Sequence, residues 1–313
     1  MRKTIALLLA LLLAGFVIFT PVTQQKTFVI KSSFFNVYNE LTRAGNWERW
    51  RPDIRKLYQS DSTKITRIQD KTGFTLKFSA INLHISLNGY TFNISEFKAG
   101  EKLAYSYIVV PQQLPNYTSL VVIEKTSLLR YLVGLTSGKA LNETHAADFK
   151  LFMEDTDLYY GIKIIKTKVS DTNIVVLRKV VLVKNKFSEA AKSYAILKQF
   201  ISSQGLKQTQ PVIAQFLPKS GDSSEVNIGI PVNGKAAKGG PVSFLRMPKT
   251  GSLYIARFYG KFSDRMNVYA IVQKYFSDKQ LTMPLLPFES YLDNKLPQND
   301  SDIINIQVNF TTY

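Results

Sequence analysis

The chain contains no cysteine, which excludes disulfides, thiolate metal sites, a cysteine nucleophile and a lipidated cysteine together. Histidine is nearly as scarce. His84 and His145 fall in different expected elements, with no ligating partner at useful spacing, so no metal site is expected. There is no glycine-rich phosphate loop, no G-x-G-x-x-G after a strand and no G-x-S-x-G nucleophile elbow. No cofactor is implied. The acidic run "EDTD" (154–157) lacks the glycine and terminal glutamate of a calcium loop and reads as a helix end or connector.

Acidic residues number 23 against 40 Lys plus Arg, a net charge of +17. Nucleic acid is the first partner such a balance suggests. The distribution argues against it. Lys163, Lys166, Lys168, Lys179 and Lys184 are spaced singly along expected strands, and neither a long basic cluster nor a helix-turn-helix segment occurs. A solvated face accounts for this pattern; so does a domain lying against anionic headgroups, where each nearby cation contributes about 1 kcal/mol.

The chain opens MRKTIALLLALLLAGFVIFTPV, with Arg2 and Lys3 ahead of an uncharged run over residues 4–20. Its 17 residues are at the short end of what a spanning helix needs. A cleaved signal peptide is the competing reading, but no small-residue cleavage position stands out, which favours an uncleaved anchor within residues 1–24. The basic flank places everything from about Val22 outside the cytoplasm by the positive-inside rule, in an expected periplasmic setting.

The C-terminal half is duplicated. "KFSEAAKSYAIL" (186–197) recurs as "KFSDRMNVYAIV" (261–272), an offset of 75 that holds without a gap for some twenty residues. Ser188 and Ser263 are expected to cap two helices, with Glu189 and Asp264 in the first turns. Tyr194, Leu197 and Ile201 share one helical face, as do Tyr269, Val272 and Phe276. Alternating runs at 172–183 and 251–260 precede the helices, and others at 225–232 and 303–310 close the repeats. Each copy therefore reads strand, helix, strand, strand, over about 172–232 and 251–310.

Between helix and closing strand lie "PVIAQFLP" (211–218) and "PLLPFESYL" (284–292). The second puts a carboxylate, Glu289, between Phe288 and Tyr291; the offset of 75 sets Ala214 at its place in the first copy. A carboxylate is costly to dehydrate without a partner, and the repeated scaffold does not require this one. Through "YGKFSDRMNVYAIVQKYF", "PFESYLDN" and "DIINIQVNF", residues 158–313 resemble the GyrI-like effector-binding family. That resemblance implies a cleft in which Glu289 and Tyr291 read a cationic or polar ligand among aromatic residues, with Tyr259, Tyr269 and Phe288 as further lining. In hydrolytic members the glutamate assists catalysis.

Residues 25–157 read as a second α+β domain. "AGNWERWRPD" (44–53) carries Trp47 and Trp50 three apart; short strand-like stretches follow, broken at Asp70-Lys71, Asn88-Gly89 and Lys98-Ala99-Gly100. "TSLLRYLVGL" (126–135) interrupts that series, and a closing helix is expected within 139–161, with Phe149, Phe152 and Met153 on one face. The tryptophan motif resembles the opening of the polyketide cyclase/lipid-transfer (SRPBCC, START-like) superfamily, which implies a helix-grip fold, a curved antiparallel sheet around a C-terminal helix. Core anchoring by the two tryptophans is the plainer alternative.

The resulting expectation is an α+β, membrane-anchored, non-enzymatic protein binding a hydrophobic or cationic amphiphilic ligand in the GyrI-like cleft. The alternative is a GyrI-like hydrolase with Glu289 as general base and Tyr291 orienting the substrate. The sequence names no protein partner.

Overall fold

A computed structural model describes Gly15 and residues 20–60, 65–78, 81–98, 100–137, 141–170, 172–237, 239–247 and 251–312. The apolar run 4–20 lies almost wholly outside them. Among the described residues no helix is long and apolar enough to cross a membrane. The chain divides into two compact units, residues 1–159 and 160–313, each an antiparallel sheet with helices, so the protein is α+β.

The first unit contains β1 (Pro21–Ile30), α1 (Phe34–Thr42), α2 (Trp47–Trp50) and α3 (Pro52–Ser60). Next come β2 (Thr66–Gln69), β3 (Gly73–Lys77), β4 (Ile81–Asn88), β5 (Thr91–Lys98), β6 (Glu101–Pro111) and β7 (Thr118–Ser127), followed by α4 (Leu128–Ser137), α5 (Leu141–Glu154) and the short α6 (Thr156–Tyr160) at the unit boundary. The seven strands form one sheet in the order β1-β7-β6-β5-β4-β3-β2. Period-two alternation decides which face is buried. In β4, Ile81, Leu83 and Ile85 point inward while Asn82 and His84 point out. The β4–β5 hairpin turns at Asn88-Gly89, where Gly89 takes a positive φ of 59°, a conformation for which glycine carries no steric penalty.

Helix α5 packs on β1, β7 and α2, burying Ala146, Phe149, Phe152 and Met153. Trp47 and Trp50 are core anchors. Their rings lie 4.7 Å apart, Trp47 meets Phe74 and Trp50 meets Phe149, and Trp47 Nε1 donates to the Leu41 carbonyl. The segment "TSLLRYLVGL" leaves the sheet as helix α4. In "EDTD", Asp155 Oδ1 accepts from the amides of Asp157 and Leu158, the capping role of a connector.

The second unit contains β8 (Ile164–Lys168), β9 (Asn173–Leu182), α7 (Lys186–Ser203), β10 (Val212–Pro218) and β11 (Ser223–Val232). It continues with β12 (Ser243–Arg246), β13 (Ser252–Lys261), α8 (Arg265–Asp278), β14 (Phe288–Tyr291) and β15 (Ile303–Thr312). Its sheet runs β12-β9-β11-β10-β14-β15-β13-β8. The two copies are antiparallel and related by a pseudo-two-fold axis at the β10–β14 pair, where Ala214 faces Glu289. Edge strands are exchanged: β12, which leads into the second copy, pairs with β9 of the first, and β8 pairs with β13 of the second. One face of the sheet, carrying Val175, Leu177, Val226, Ile228, Tyr254, Ala256, Ile306 and Val308, packs with the inward sides of α7 and α8, including Leu197, Val268, Val272 and Phe276, into a single core.

The repeat is less regular than the sequence offset implies. Helix α7 has 18 residues and α8 has 14, one turn fewer. The copies stay in register through the helix C-termini, where Gly205 (φ 64°) and Gln280 (φ 54°) both turn left-handed. They slip apart at the N-termini. Ser188 therefore lies inside the first turn of α7 and donates to the Asn185 carbonyl, while Ser263 sits in a short 3-10 turn and donates to Asp264. Neither serine caps its helix, contrary to expectation: α7 already begins at Lys186, before Ser188, and α8 begins at Arg265, after the 3-10 turn that contains Ser263. Phe187 and Phe262 nevertheless meet, rings 5.1 Å apart, between the two helix starts.

Candidate functional site

Strand alternation sorts the five residues singled out in the sequence. Glu289 and Tyr291 point to the helix-covered face and are buried, 1% and 0% exposed. Tyr269 reaches them from α8. Phe288, next to Glu289, must point to the opposite face, where it lines an apolar groove. Tyr259 is three residues from inward-facing Ala256 on β13, so it too points away, and it is 76% exposed. The structure thus gathers Glu289, Tyr291 and Tyr269, and separates Phe288 and Tyr259 from them.

Arg265, absent from the sequence expectation, completes the group. Its Nε donates to Glu289 Oε1 at 2.7 Å; Tyr269 OH donates to the same oxygen at 2.9 Å, and Tyr291 OH to Oε2 at 2.6 Å. The Arg265 guanidinium carbon lies 3.4 Å from the centre of the Phe262 ring and 6.0 Å from that of Phe216, and Nη1 donates to the Phe262 carbonyl. Phe187 packs on both rings. A cation thus rests on an aromatic face with its charge on a buried carboxylate, and cation–π attraction adds about 0.5–2 kcal/mol where water is excluded.

Burial raises the phenol pKa values of Tyr269 and Tyr291, and the neighbouring Glu289 charge raises them further, so both hydroxyls remain protonated donors. The site is one-sided. Subtracting 75 from Arg265, Glu289 and Tyr291 gives Ala190, Ala214 and Phe216. The first copy therefore keeps the scaffold without the cation, the carboxylate or the second hydroxyl.

The first unit holds a polar cluster that sequence reasoning missed. Buried Arg51 donates from Nη1 and Nη2 to the two oxygens of Glu96 (3.1 and 2.8 Å), and from Nε and Nη2 to those of Asp53 (3.0 and 2.8 Å). Lys98 reaches Asp53 at 3.1 Å. His145 from α5 comes close enough that it, Asp53 and Glu96 each offer a ligand atom within 4.8 Å of the others. The guanidinium already bonds both carboxylates and supplies the positive charge a metal ion would bring, so the donor set suits an ion pair better than a metal. Burial, and then the Arg51 charge, push the His145 pKa down to about 4, which keeps the imidazole neutral. Burial alone would raise the pKa of Asp53; Arg51 outweighs it, and the carboxyl is held well below its usual range. Arg51 and Asp53 are neighbours in sequence, but Glu96 lies 45 positions from Arg51 and His145 comes from a different element, so only the fold joins them.

No family model matches the sequence, and no curated protein matches it. Among solved structures the chain is similar to the EcmrR C-terminal domain, at 17% identity over 49% of this chain and 98% of that one, TM-score 0.39. It is similar to CalU16 from Micromonospora echinospora at 14% identity over 42% of this chain and 65% of that one, TM-score 0.30. SAV2435, solved with tetraphenylphosphonium bound, shows 10% identity over 49% of this chain and 94% of that one, TM-score 0.28. At such scores the likeness says nothing of function.

Proposed function

We propose that the protein is a non-enzymatic small-molecule binder whose GyrI-like C-terminal unit receives a hydrophobic cation at Glu289. The helix-grip unit precedes it, and the run 4–20 tethers both on the periplasmic side of a membrane. The observation that carries the reading is the Glu289 centre itself. Among the described residues its carboxylate is held by side chains, Arg265, Tyr269 and Tyr291, and no backbone amide bonds to it. Side-chain donors can rotate away and be replaced, whereas scaffold amides cannot. Arg265 occupies the seat of a cationic ligand, stacked on Phe262 and paired with Glu289. A delocalised organic cation that displaced it would keep the charge balance and gain the aromatic contact.

A hydrolytic role fits less well. A general base needs a free lone pair facing water, and both Glu289 oxygens accept hydrogen bonds inside a buried shell.

Calorimetry with tetraphenylphosphonium and neutral triphenylphosphine oxide tests the proposal. Glu289→Gln should weaken the cation about tenfold or more, equivalent to about 1.4 kcal/mol, and leave the neutral probe within about twofold. Equal loss for both probes would remove Glu289 from ligand recognition.

A further inference from the structure

The face of the C-terminal sheet that turns away from α7 and α8 carries a groove of about 410 Å³, within the usual range of small-molecule sites. Its floor and walls are apolar, with Val176, Ile213, Phe288 and Leu285 among them. Two polar residues give it chemical direction. Asn227, 7% exposed, donates from Nδ2 to Gln215 Oε1 and Glu225 Oε1, both at 3.1 Å, and its buried Oδ1 accepts no hydrogen bond among the described residues. Gln215 spends its own donors on the carbonyls of Leu286 and Pro287. Asn227, which lines the groove, therefore carries an acceptor without a partner, and a buried acceptor in that state costs about as much as a lost hydrogen bond. The charged residue lining the groove is Arg178, whose side chain is 68% exposed. Its partner Glu225 is shared with Lys219 at 2.7 Å, which leaves the rim net positive.

We infer that this groove is a second ligand site, taking an apolar molecule that carries one N–H or O–H donor for Asn227 Oδ1 and an anionic group for Arg178. The inference does not depend on Glu289, which lies on the opposite face and is matched to the opposite charge. Its geometry follows from strand alternation: Ile213 and Gln215 face the groove while Val212 and Ala214 face the core.

Anilinonaphthalene sulfonate has fused apolar rings, one N–H and one sulfonate, and brightens when it leaves water. Titrated into the full-length chain, it should fill one saturable site. Val176→Trp, which fills the groove, should abolish that site while the circular-dichroism melting curve stays unchanged. Asn227→Leu should weaken binding about three- to tenfold, the range of one hydrogen bond. Arg178→Ala should weaken it as well and flatten its salt dependence, and Glu289→Gln should leave it unaltered. Unchanged binding in Val176→Trp overturns the site, as does the absence of saturable binding. Equal affinity in wild type, Asn227→Leu and Arg178→Ala overturns the assigned chemistry.

Discussion

Ala214 and Glu289 face each other across the β10–β14 pair, and they are the same position of the two repeats, 75 residues apart. The pseudo-symmetry axis therefore runs between a methyl group and a carboxylate. The same contrast holds one shell out, where Ala190 on α7 answers to Arg265 on α8. Both partners of the ion pair are alanine in the first copy, and Ala190 and Ala214 are fully buried there. The fold is thus satisfied by apolar residues at these positions, and the charged pair is an addition to one half.

The Arg265–Glu289 pair is buried, so removing one partner leaves an uncompensated charge. Glu289→Ala and Arg265→Ala should each destabilise the second unit by about 3–5 kcal/mol. The double substitution should cost clearly less than the sum of the two. Urea unfolding followed by far-ultraviolet dichroism should show the loss, beside tryptophan fluorescence that stays unchanged because both tryptophans lie in the first unit.

Protonation of His145 sets a pH dependence for the first unit. Its folded pKa is pushed down to about 4, below the unfolded value of about 6.5. Stability is complete above pH 6.5, where both states are neutral. It falls as the pH drops from 6.5 towards 4, because the unfolded chain binds the proton first. Tryptophan-detected unfolding should lose about 1–3 kcal/mol over that window. His145→Gln should flatten the difference; an identical profile in the variant would rule out His145 as its source.

Gly73 is needed for close approach of backbone. A Cβ added there would lie 2.0 Å from the Ile85 carbonyl oxygen across the β3–β4 pair. Gly73→Ala should cost about 1–3 kcal/mol, the usual penalty for overpacking, measured by the tryptophan-detected urea midpoint.

Ser188→Ala and Ser263→Ala should each change stability by less than about 0.5 kcal/mol, as surface substitutions do. A loss of about 1 kcal/mol, typical of a missing N-cap, would contradict the observed helix starts.

Local patterns were legible in the sequence: the alternating strands on either side of each helix, the Asn88-Gly89 turn and the face shared by Phe149, Phe152 and Met153. So was the duplication, and with it the odd position of Glu289. Parity along a strand decided the rest. Phe288 adjoins Glu289 and Tyr259 follows inward-facing Ala256 on β13, but an odd step along each strand put both aromatics on the other face. Arg265 was hidden in plain view within the duplicated helix, opposite Ala190; the same offset that exposed Glu289 exposes it. The Arg51, Asp53, Glu96 and His145 cluster left no such trace, because sequence spacing cannot show which buried groups meet across a sheet and a helix.

In the proposed function, Arg265 holds the place of a cationic ligand, paired with Glu289 and stacked on Phe262. The most direct test is the calorimetric affinity of the Arg265→Ala protein for tetraphenylphosphonium, beside wild type. With the internal cation gone and Glu289 still charged, the variant should bind at least about tenfold more tightly, and Glu289→Gln added to it should cancel the gain. Equal or weaker binding by Arg265→Ala, in protein whose circular dichroism shows it folded, would contradict the account.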